Sequence, residues 1–393
     1  MKILHTSDWH LGHTLYNYDR TEEQSKMLEQ MEEIVRTEKP DVFLLSGDVY
    51  HTTQPSSATQ TMFTNALVRL HFAHPDMILV ITAGNHDSGT KHDIFRTPWR
   101  ALNVFTIGNI EKEHIDRHII YIKEKGYVIA VPYSYERNIP EGFFQELLDE
   151  VNRQNTRNLP VVMMAHTTIK GCDFSGHDTT QSLRGDYTVG GIDGIDIANM
   201  GTGYDYLALG HIHHAQYVHG GEHRVRYCGS PLAISFDETY EHSVSIVEIK
   251  AHGEMPELKT IHIENPFNLV TLPTTGSCGW KEALEKLKEF PDDNPAYIRL
   301  NVEVDDFLPI EANAEVEKII EGKACKFCHF NTIRKAREQN FHHTMSVSEF
   351  QAQSPINIMR QYANDIGENF DEELEELFQE AWKEAQQEEP SNK

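Results

Sequence analysis

Long apolar runs are missing from this 393-residue chain. The longest clear one, Met77–Thr82, has the length of a strand, far short of the ~18 residues that span a bilayer, so a transmembrane protein is excluded. Basic residues are also scarce: 35 Lys and Arg stand against 61 Asp and Glu, a formal charge of −26. A protein that grips nucleic acid purely by neutralising phosphates carries the opposite balance. If the substrate is polyanionic, bound cations or a partner chain must supply much of the attraction. Cysteine is sparse, with Cys172, Cys228, Cys278, Cys325 and Cys328 an odd number at irregular spacing, which argues against a disulfide scaffold. The opening MKILHTSDWH has only Ile3-Leu4 as apolar stretch, too little for the core of a secretory signal. A reducing, cytoplasmic setting is expected.

What is present is a globular chain, 39% hydrophobic and sized for two or three domains at ~150 residues each. The first ~250 residues alternate short apolar runs with helical or loop segments. Strands are predicted at Lys2–His5, Val42–Ser46, Met77–Thr82, Tyr127–Val131, Val161–Ala165, Tyr206–Leu209, Val225–Cys228 and Ser243–Ile249. Between the first two, Met27, Leu28, Met31, Ile34 and Val35 recur on one helical face from Thr21 to about Glu38. Thr21 with Gln24 fits a capping box, and Lys39-Pro40-Asp41 ends the helix. This alternation predicts a layered α/β domain.

Asn265-Pro266 marks a boundary, giving domains 1–264, 265–340 and 341–393. The second reads strand (Leu269–Leu272), helix (Trp280–Phe290), strand (Ala296–Val304), helix (Ala312–Glu321), strand (Cys325–Arg334). After a polar connector, Lys335 to Thr344, helices are expected at Pro355–Asn364 and Asp371–Gln387. Residues 349–393 carry 12 acidic and 3 basic side chains. No internal repeat is present.

The chemistry lies where the apolar runs stop. The first leads to Asp8 and His10, the second to Asp48 and His51, the third to Asn85, His86 and Asp87, and later ones to His166 and to His211 and His213. In α/β sheets ligands bind at the carboxyl ends of strands. Two aspartates, an amide oxygen and four imidazoles are too many for one tetrahedral zinc and suit two adjacent divalent ions with a bridging carboxylate. Gly47 and Gly84 precede two of these turns, where backbone without a Cβ passes close to the ions. Any one such residue is ordinarily a turn or cap residue; five strand ends together are not a coincidence of that kind.

Asp8-x-His10, Gly47-Asp48, Gly84-Asn85-His86-Asp87, His166 and Gly210-His211-Ile212-His213 resemble, in order, the motifs of calcineurin-like metallophosphoesterases across residues 1–215. Ser7-Asp-Trp-His-Leu-Gly, Arg20-Thr-Glu-Glu, Gly47-Asp-Val-Tyr-His51 with Pro55-Ser56, Gly190-Gly191 and Tyr227-Cys-Gly-Ser-Pro-Leu-Ala-Ile-Ser-Phe236 are similar to the SbcD-like DNA-repair nuclease branch. The resemblance implies a β-sandwich flanked by helices, with a dinuclear centre at its rim, a small α+β capping domain that binds DNA, and C-terminal helices that hold an SbcC-like SMC ATPase. It further implies a homodimer within a heterotetramer, with helices of the first ~100 residues at the dimer interface, and a nucleoid-associated location.

By the same resemblance, Asp8, His10, Asp48 and His213 hold one metal and Asp48, Asn85, His166 and His211 the other. His86 sits beside the phosphate, Asp87 orients the His86 ring, and His51 is a second histidine near the scissile group. Manganese is the implied metal, and the implied reaction is phosphodiester hydrolysis: 3′ to 5′ on double-stranded DNA ends, endonucleolytic on single strands and hairpins. A small-molecule, nucleotide-directed phosphoesterase of the same fold is the alternative. Arg20, Lys91, Lys170 and Arg184 lie in loops near the motifs and are candidates for the DNA backbone, though each is more often an ordinary solvated side chain.

Cys325-Lys-Phe-Cys328-His329 spells a haem-attachment pattern, but in a strand positions three apart face opposite ways, so these residues read as part of the second domain's sheet. His71, His74, His92, His114 and His118 read as surface histidines. In the last helix, Leu374, Leu377, Phe378, Ala381 and Trp382 make an apolar stripe on an acidic helix, read as packing onto its own domain or, together with Val347–Tyr362, as docking onto the ATPase partner.

Overall fold

The computed structural model describes residues 1–175, 194–334 and 354–365, with isolated positions between 374 and 382. Arg184, the Gly190-Gly191 pair, the connector from Lys335 and most of the last predicted helix lie outside the described residues. Residues Met1–Arg334 form one compact unit and Lys335–Lys393 a second.

Two six-stranded sheets make the body of the first unit. One runs Glu257–His262, Ser243–Glu248, Lys2–Thr6, Val42–Ser46, Ile78–Thr82, Val104–Ile107, the last four strands parallel and the first two antiparallel. The other runs Gln216–Tyr217, Val225–Tyr227, Tyr206–Gly210, Val161–His166, Gly126–Val131, Ile119–Ile122, its four central strands parallel. Four of these strands, Val104–Ile107, Ile119–Ile122, Gln216–Tyr217 and Glu257–His262, escape the sequence reading; all four are short strands at the sheet edges.

Period-two alternation explains why the central runs are apolar throughout. Ile3, Val42, Leu44, Val80, Val162, Met164, Tyr206 and Ala208 pack between the sheets. Their neighbours Leu4, Phe43, Leu45, Leu79 and Ile81 face the helices Thr21–Glu38 and Ser57–Ala73. Val161, Met163, Ala165, Leu207 and Leu209 face the helix Phe143–Gln154 on the far side. Each strand residue is thus buried on one side or the other, at about 1.5–3 kcal/mol for each large aliphatic side chain. The architecture is a β-sandwich flanked by helices.

The helix Thr21–Glu38 begins one residue earlier than a capping box requires, with Arg20 as its N-cap and no side-chain cap bond. Gln24 instead accepts from the Gly12 N–H at 3.0 Å and donates to the carbonyls of His10 and His13. It ties the loop after the first strand to the helix rather than capping the helix. At the other end Lys39 takes a left-handed conformation and closes the helix onto the Val35 carbonyl, ahead of Pro40.

A third sheet follows Asn265, with Ala296–Val304 central and Asn268–Leu272, Cys278–Gly279 and Lys326–Arg334 paired to it in parallel. Helices Trp280–Glu289 and Ala312–Ile320 supply Ala283, Leu284, Leu287 and Val316 to its own core. Cys325 belongs to that core and Cys328 to a different cluster, with Leu15, Phe236 and Tyr297, at the seam against the sandwich. The seam is also polar: the Tyr297 hydroxyl donates to Glu23 at 2.6 Å and the Tyr18 hydroxyl to the Phe327 carbonyl at 2.9 Å. In the second unit Pro355–Asp365 is helical, and Leu374, Leu377 and Trp382 are exposed helical positions. No described helix is long and apolar enough to cross a membrane.

Candidate metal centre

Five parallel strands, three from one sheet and two from the other, end at one rim of the sandwich, and the predicted ligands stand just past those ends. Asp8, His10, Asp48, His166, His211 and His213 are all buried. Asp8, His10 and His213 bring ligand atoms within 4.8 Å of one another, and so do Asp8, Asp48 and His166. Asp48 Oδ2 lies 3.6 Å from His10 Nε2 and 3.4 Å from His166 Nε2, between the two groups. Asn85 Oδ1 is 3.0 Å from His166 Nε2 and 3.0 Å from His211 Nδ1. His10 Nε2 and His213 Nε2 are 3.2 Å apart, and the His211 N–H reaches both Asp8 oxygens at 3.1 Å.

The backbone is bent to achieve this. Asp8, His10, Asp48 and His211 have positive φ, at 54°, 44°, 50° and 99°, a conformation that non-glycine residues avoid unless the surroundings enforce it. Two glycines make room. A Cβ on Gly84 would lie 2.0 Å from Asp48 Oδ1, and one on Gly47 2.2 Å from His166 Nδ1.

Outer partners set the imidazoles. His166 Nδ1 donates to the Ser46 carbonyl at 2.8 Å, leaving Nε2 toward Asp48 and Asn85. His213 Nδ1 donates to Glu238 at 2.9 Å, leaving Nε2 toward His10. Burial pulls both histidines down, but Asp48 in one case and Glu238 in the other outweigh it and lift each to about 9. Burial pushes Asp48 up, yet the surrounding histidines, His166 foremost, hold it well below the usual carboxylate range. Desolvation raises Asp8 and lowers His10. An anionic oxygen thus faces His10 and His166, and of the surrounding imidazoles His166 and His213 have their far Nδ1 already committed as a donor. That mixed O/N donor set, turned inward, fits divalent cations.

His86 is half-buried; its N–H donates to Asp48 Oδ1 at 2.9 Å and its Nδ1 to the His51 carbonyl at 2.9 Å. The His51 and His86 rings are stacked with centroids 5.6 Å apart, and His10, His51 and His86 form a third close group. Burial lowers His51 to about 4. His51 therefore stands in the site beside His86.

Several expectations are corrected. Asp87 does not orient the His86 ring: its carboxylate accepts from the N–H groups of Val49, Tyr50 and Gly84 at 3.1, 3.0 and 2.8 Å, stitching two ligand loops together. Arg20 is buried, donating to Glu23 and to the Ala233 carbonyl, both at 2.6 Å, so it is a strut and not a DNA contact. Lys91 donates to the Thr53 carbonyl at 3.0 Å, while Lys170 is exposed. Among the histidines read as surface residues, His92 and His118 are buried; His92 stands in a polar stretch, whereas His118 immediately precedes the apolar strand Ile119–Ile122. Glu238 was missed altogether. Its one sequence signal is its place two residues after Phe236, since the loop that carries it folds back under His213, with the Ser230 N–H on the His213 carbonyl at 3.0 Å.

The model of the calcineurin-like phosphoesterase family matches residues 1–215, and the chain belongs to that family. More particularly, it is similar to the SbcD subunits of the nuclease SbcCD from three bacteria. That of Rhodobacter capsulatus is 29% identical over 73% of this chain and 75% of its own. That of Escherichia coli is 27% identical over 86% of each, and that of Bacillus subtilis 29% identical over 86% of this chain and 87% of its own.

Proposed function

We propose that this chain is an SbcD-like nuclease subunit, a metal-dependent hydrolase of DNA phosphodiesters acting in repair and recombination. The observation that supports it best is the convergence of Asp8, His10, Asp48, Asn85, His166, His211 and His213 on one rim, in a chain similar to nuclease subunits along most of its length. Asp8, His10, Asp48 and His213 would hold one divalent ion and Asp48, Asn85, His166 and His211 the other, with Asp48 shared because its Oδ2 lies between His10 and His166. Manganese suits these oxygen and nitrogen donors.

When bound, two such ions neutralise phosphoryl charge and acidify a water. The chain's own residues do the rest. His86, its Nδ1 committed to the His51 carbonyl, has Nε2 as its one remaining proton site and can donate there to a phosphoryl oxygen or to the departing sugar oxygen. His51, stacked on it, restricts the His86 ring and narrows the pocket. Asp87 fixes the two loops that carry Asp48 and Asn85. The positive charge of the ions also answers the acidity of the chain, since it sits where a phosphate must dock.

The substrates that fit this reading are double-stranded ends, degraded 3′ to 5′, and single strands or hairpins. An SbcC-like SMC ATPase is the partner, held by the C-terminal helices in a heterotetramer built on a dimer of this chain, near the nucleoid in the cytoplasm. The domains are a nuclease domain to residue 264, a DNA-binding capping domain over 265–340 and a partner-binding region beyond. A labelled hairpin duplex and a chromogenic phosphodiester, each assayed with and without manganese, test the reading. Hydrolysis of the hairpin is expected, lost in Asp48→Ala; activity on the small diester alone would favour a nucleotide-directed phosphoesterase.

A further inference from the structure

Two tyrosines follow the strand Gly126–Val131, and the first stands beside the half of the site that contains Asn85, His166 and His211. Tyr133 is half-buried, with its ring centroid 6.2 Å from that of His166 and 6.4 Å from that of His211. Its N–H donates to the Ala83 carbonyl at 2.8 Å, so the loop leaving strand Gly126–Val131 is pinned to the loop that carries Asn85. Pro132 stiffens the approach. Tyr135, 43% exposed, meets Tyr133 edge to face at 5.7 Å, and the Arg137 guanidinium lies over the Tyr135 ring at 5.1 Å. An aromatic pair, Tyr133 against the site and Tyr135 against Tyr133 with a cation over its ring, therefore borders the candidate metal centre.

We infer that Tyr133 and Tyr135 form a stacking ledge for an unpaired nucleobase one nucleotide from the scissile phosphate, with Arg137 near the next phosphate. The inference rests on the phosphodiesterase reading above and adds to it the form of the substrate. Aromatic faces hold bases without regard to sequence. Within a duplex both faces of a base are covered by its neighbours, so only a terminal, looped or single-stranded base can use the ledge. Such a step also compensates for the lack of basic residues: it draws the strand in by contact with its bases and leaves the phosphates to the metal centre.

The test compares oligothymidylate with an abasic oligomer of the same length, which has the phosphates and no bases. Binding is read by fluorescence anisotropy in EDTA and hydrolysis as KM and kcat in manganese, on the full chain. The wild-type protein is expected to bind the base-bearing strand about tenfold more tightly. Tyr133→Ala should collapse that ratio toward one, chiefly through KM, and Tyr133→Phe should keep it. A wild-type protein indifferent to the bases, or a Tyr133→Ala variant that keeps the full ratio, overturns the ledge. Equal weakening of both oligomers by Tyr133→Ala also overturns it, since that marks a structural role. Loss of manganese-dependent hydrolysis of both oligomers would strike the phosphodiesterase reading instead, while the anisotropy ratio in EDTA still judges the ledge.

Discussion

His213 Nδ1 donates to Glu238 at 2.9 Å across 25 residues of sequence, and both side chains are buried. The carboxylate fixes the ring so that Nε2 faces His10, and it makes that nitrogen a stronger donor. Glu238→Gln keeps the shape and removes the charge. It is expected to weaken divalent-ion binding by 10- to 100-fold, read by titration calorimetry with manganese, with nuclease activity recovering partly at high metal concentration. Wild-type affinity in this variant would show that Glu238 only fills space.

Asp87 accepts three backbone N–H groups from two loops. A carboxylamide offers one oxygen where the carboxylate offers two, and turns an N–H₂ toward donors. Asp87→Asn should therefore cost about 2–3 kcal/mol, the scale of a buried donor left unsatisfied, seen as a lower Tm. Because the same bonds position Asp48 and Asn85, activity should fall with stability. Unchanged stability with lost activity would instead favour a direct catalytic part for Asp87.

Gly84 is set by space and not by left-handed backbone. Its added Cβ would meet Asp48 Oδ1 at 2.0 Å and the Asp48 N at 2.3 Å, and these atoms belong to a residue already held at φ 50°. Gly84→Ala is expected to displace Asp48 and lower manganese-dependent turnover by at least a hundredfold, about 2.7 kcal/mol of barrier, with far-ultraviolet circular dichroism retained. Wild-type turnover would mean that the rim relaxes freely around Asp48.

The body of this fold and most of its rim were legible because a single physical signal carried both. A buried parallel strand is an apolar run, and its end is where a polar side chain first appears, so Val42–Ser46 and Asp48 are read together. The same holds for Val161–His166. What stayed hidden lies off that signal. Glu238 serves His213 through a loop with no periodic pattern, and Asp87 sits beside His86 in sequence while its bonds go to Val49 and Tyr50. Arg20 reads as a solvent-facing loop residue, because nothing local announces Glu23 and the Ala233 carbonyl as its partners. The apolar runs told which residues are buried but not against what, and the second sheet became legible only through the family resemblance.

Arg20 gives a way to separate strut from DNA contact. Buried and bonded to Glu23 and Ala233, it supports the helix whose Glu23 also receives the Tyr297 hydroxyl. Arg20→Met should lower Tm while leaving the dependence of DNA binding on salt unchanged, whereas losing a phosphate contact reduces the log–log slope by about one. A reduced slope with unchanged Tm would restore Arg20 to the DNA interface.

His118 makes the stability of the sandwich depend on pH. Its Nδ1 donates to the Ala130 carbonyl at 2.8 Å, and its Nε2 accepts from the Glu111 N–H at 3.0 Å. The ring is fully buried as a neutral imidazole with both nitrogens used. Burial lowers it below its ordinary 6.5, against the Ala130 carbonyl and Glu111, which pull upward, and with Arg96 adding to the fall and Asp93 opposing it. The unfolded chain binds this proton first as pH drops, so stability is fully present above about 6.5 and is lost as pH falls toward the folded value. A second proton on Nε2 would face the Glu111 N–H and break that bond. His118→Gln, which has an amide donor and acceptor but does not titrate, should flatten the fall in stability between pH 7 and 5 by up to about 1.4 kcal/mol per pH unit, measured by urea denaturation across that range. An unaltered pH slope in this variant would remove His118 as the group that senses acid.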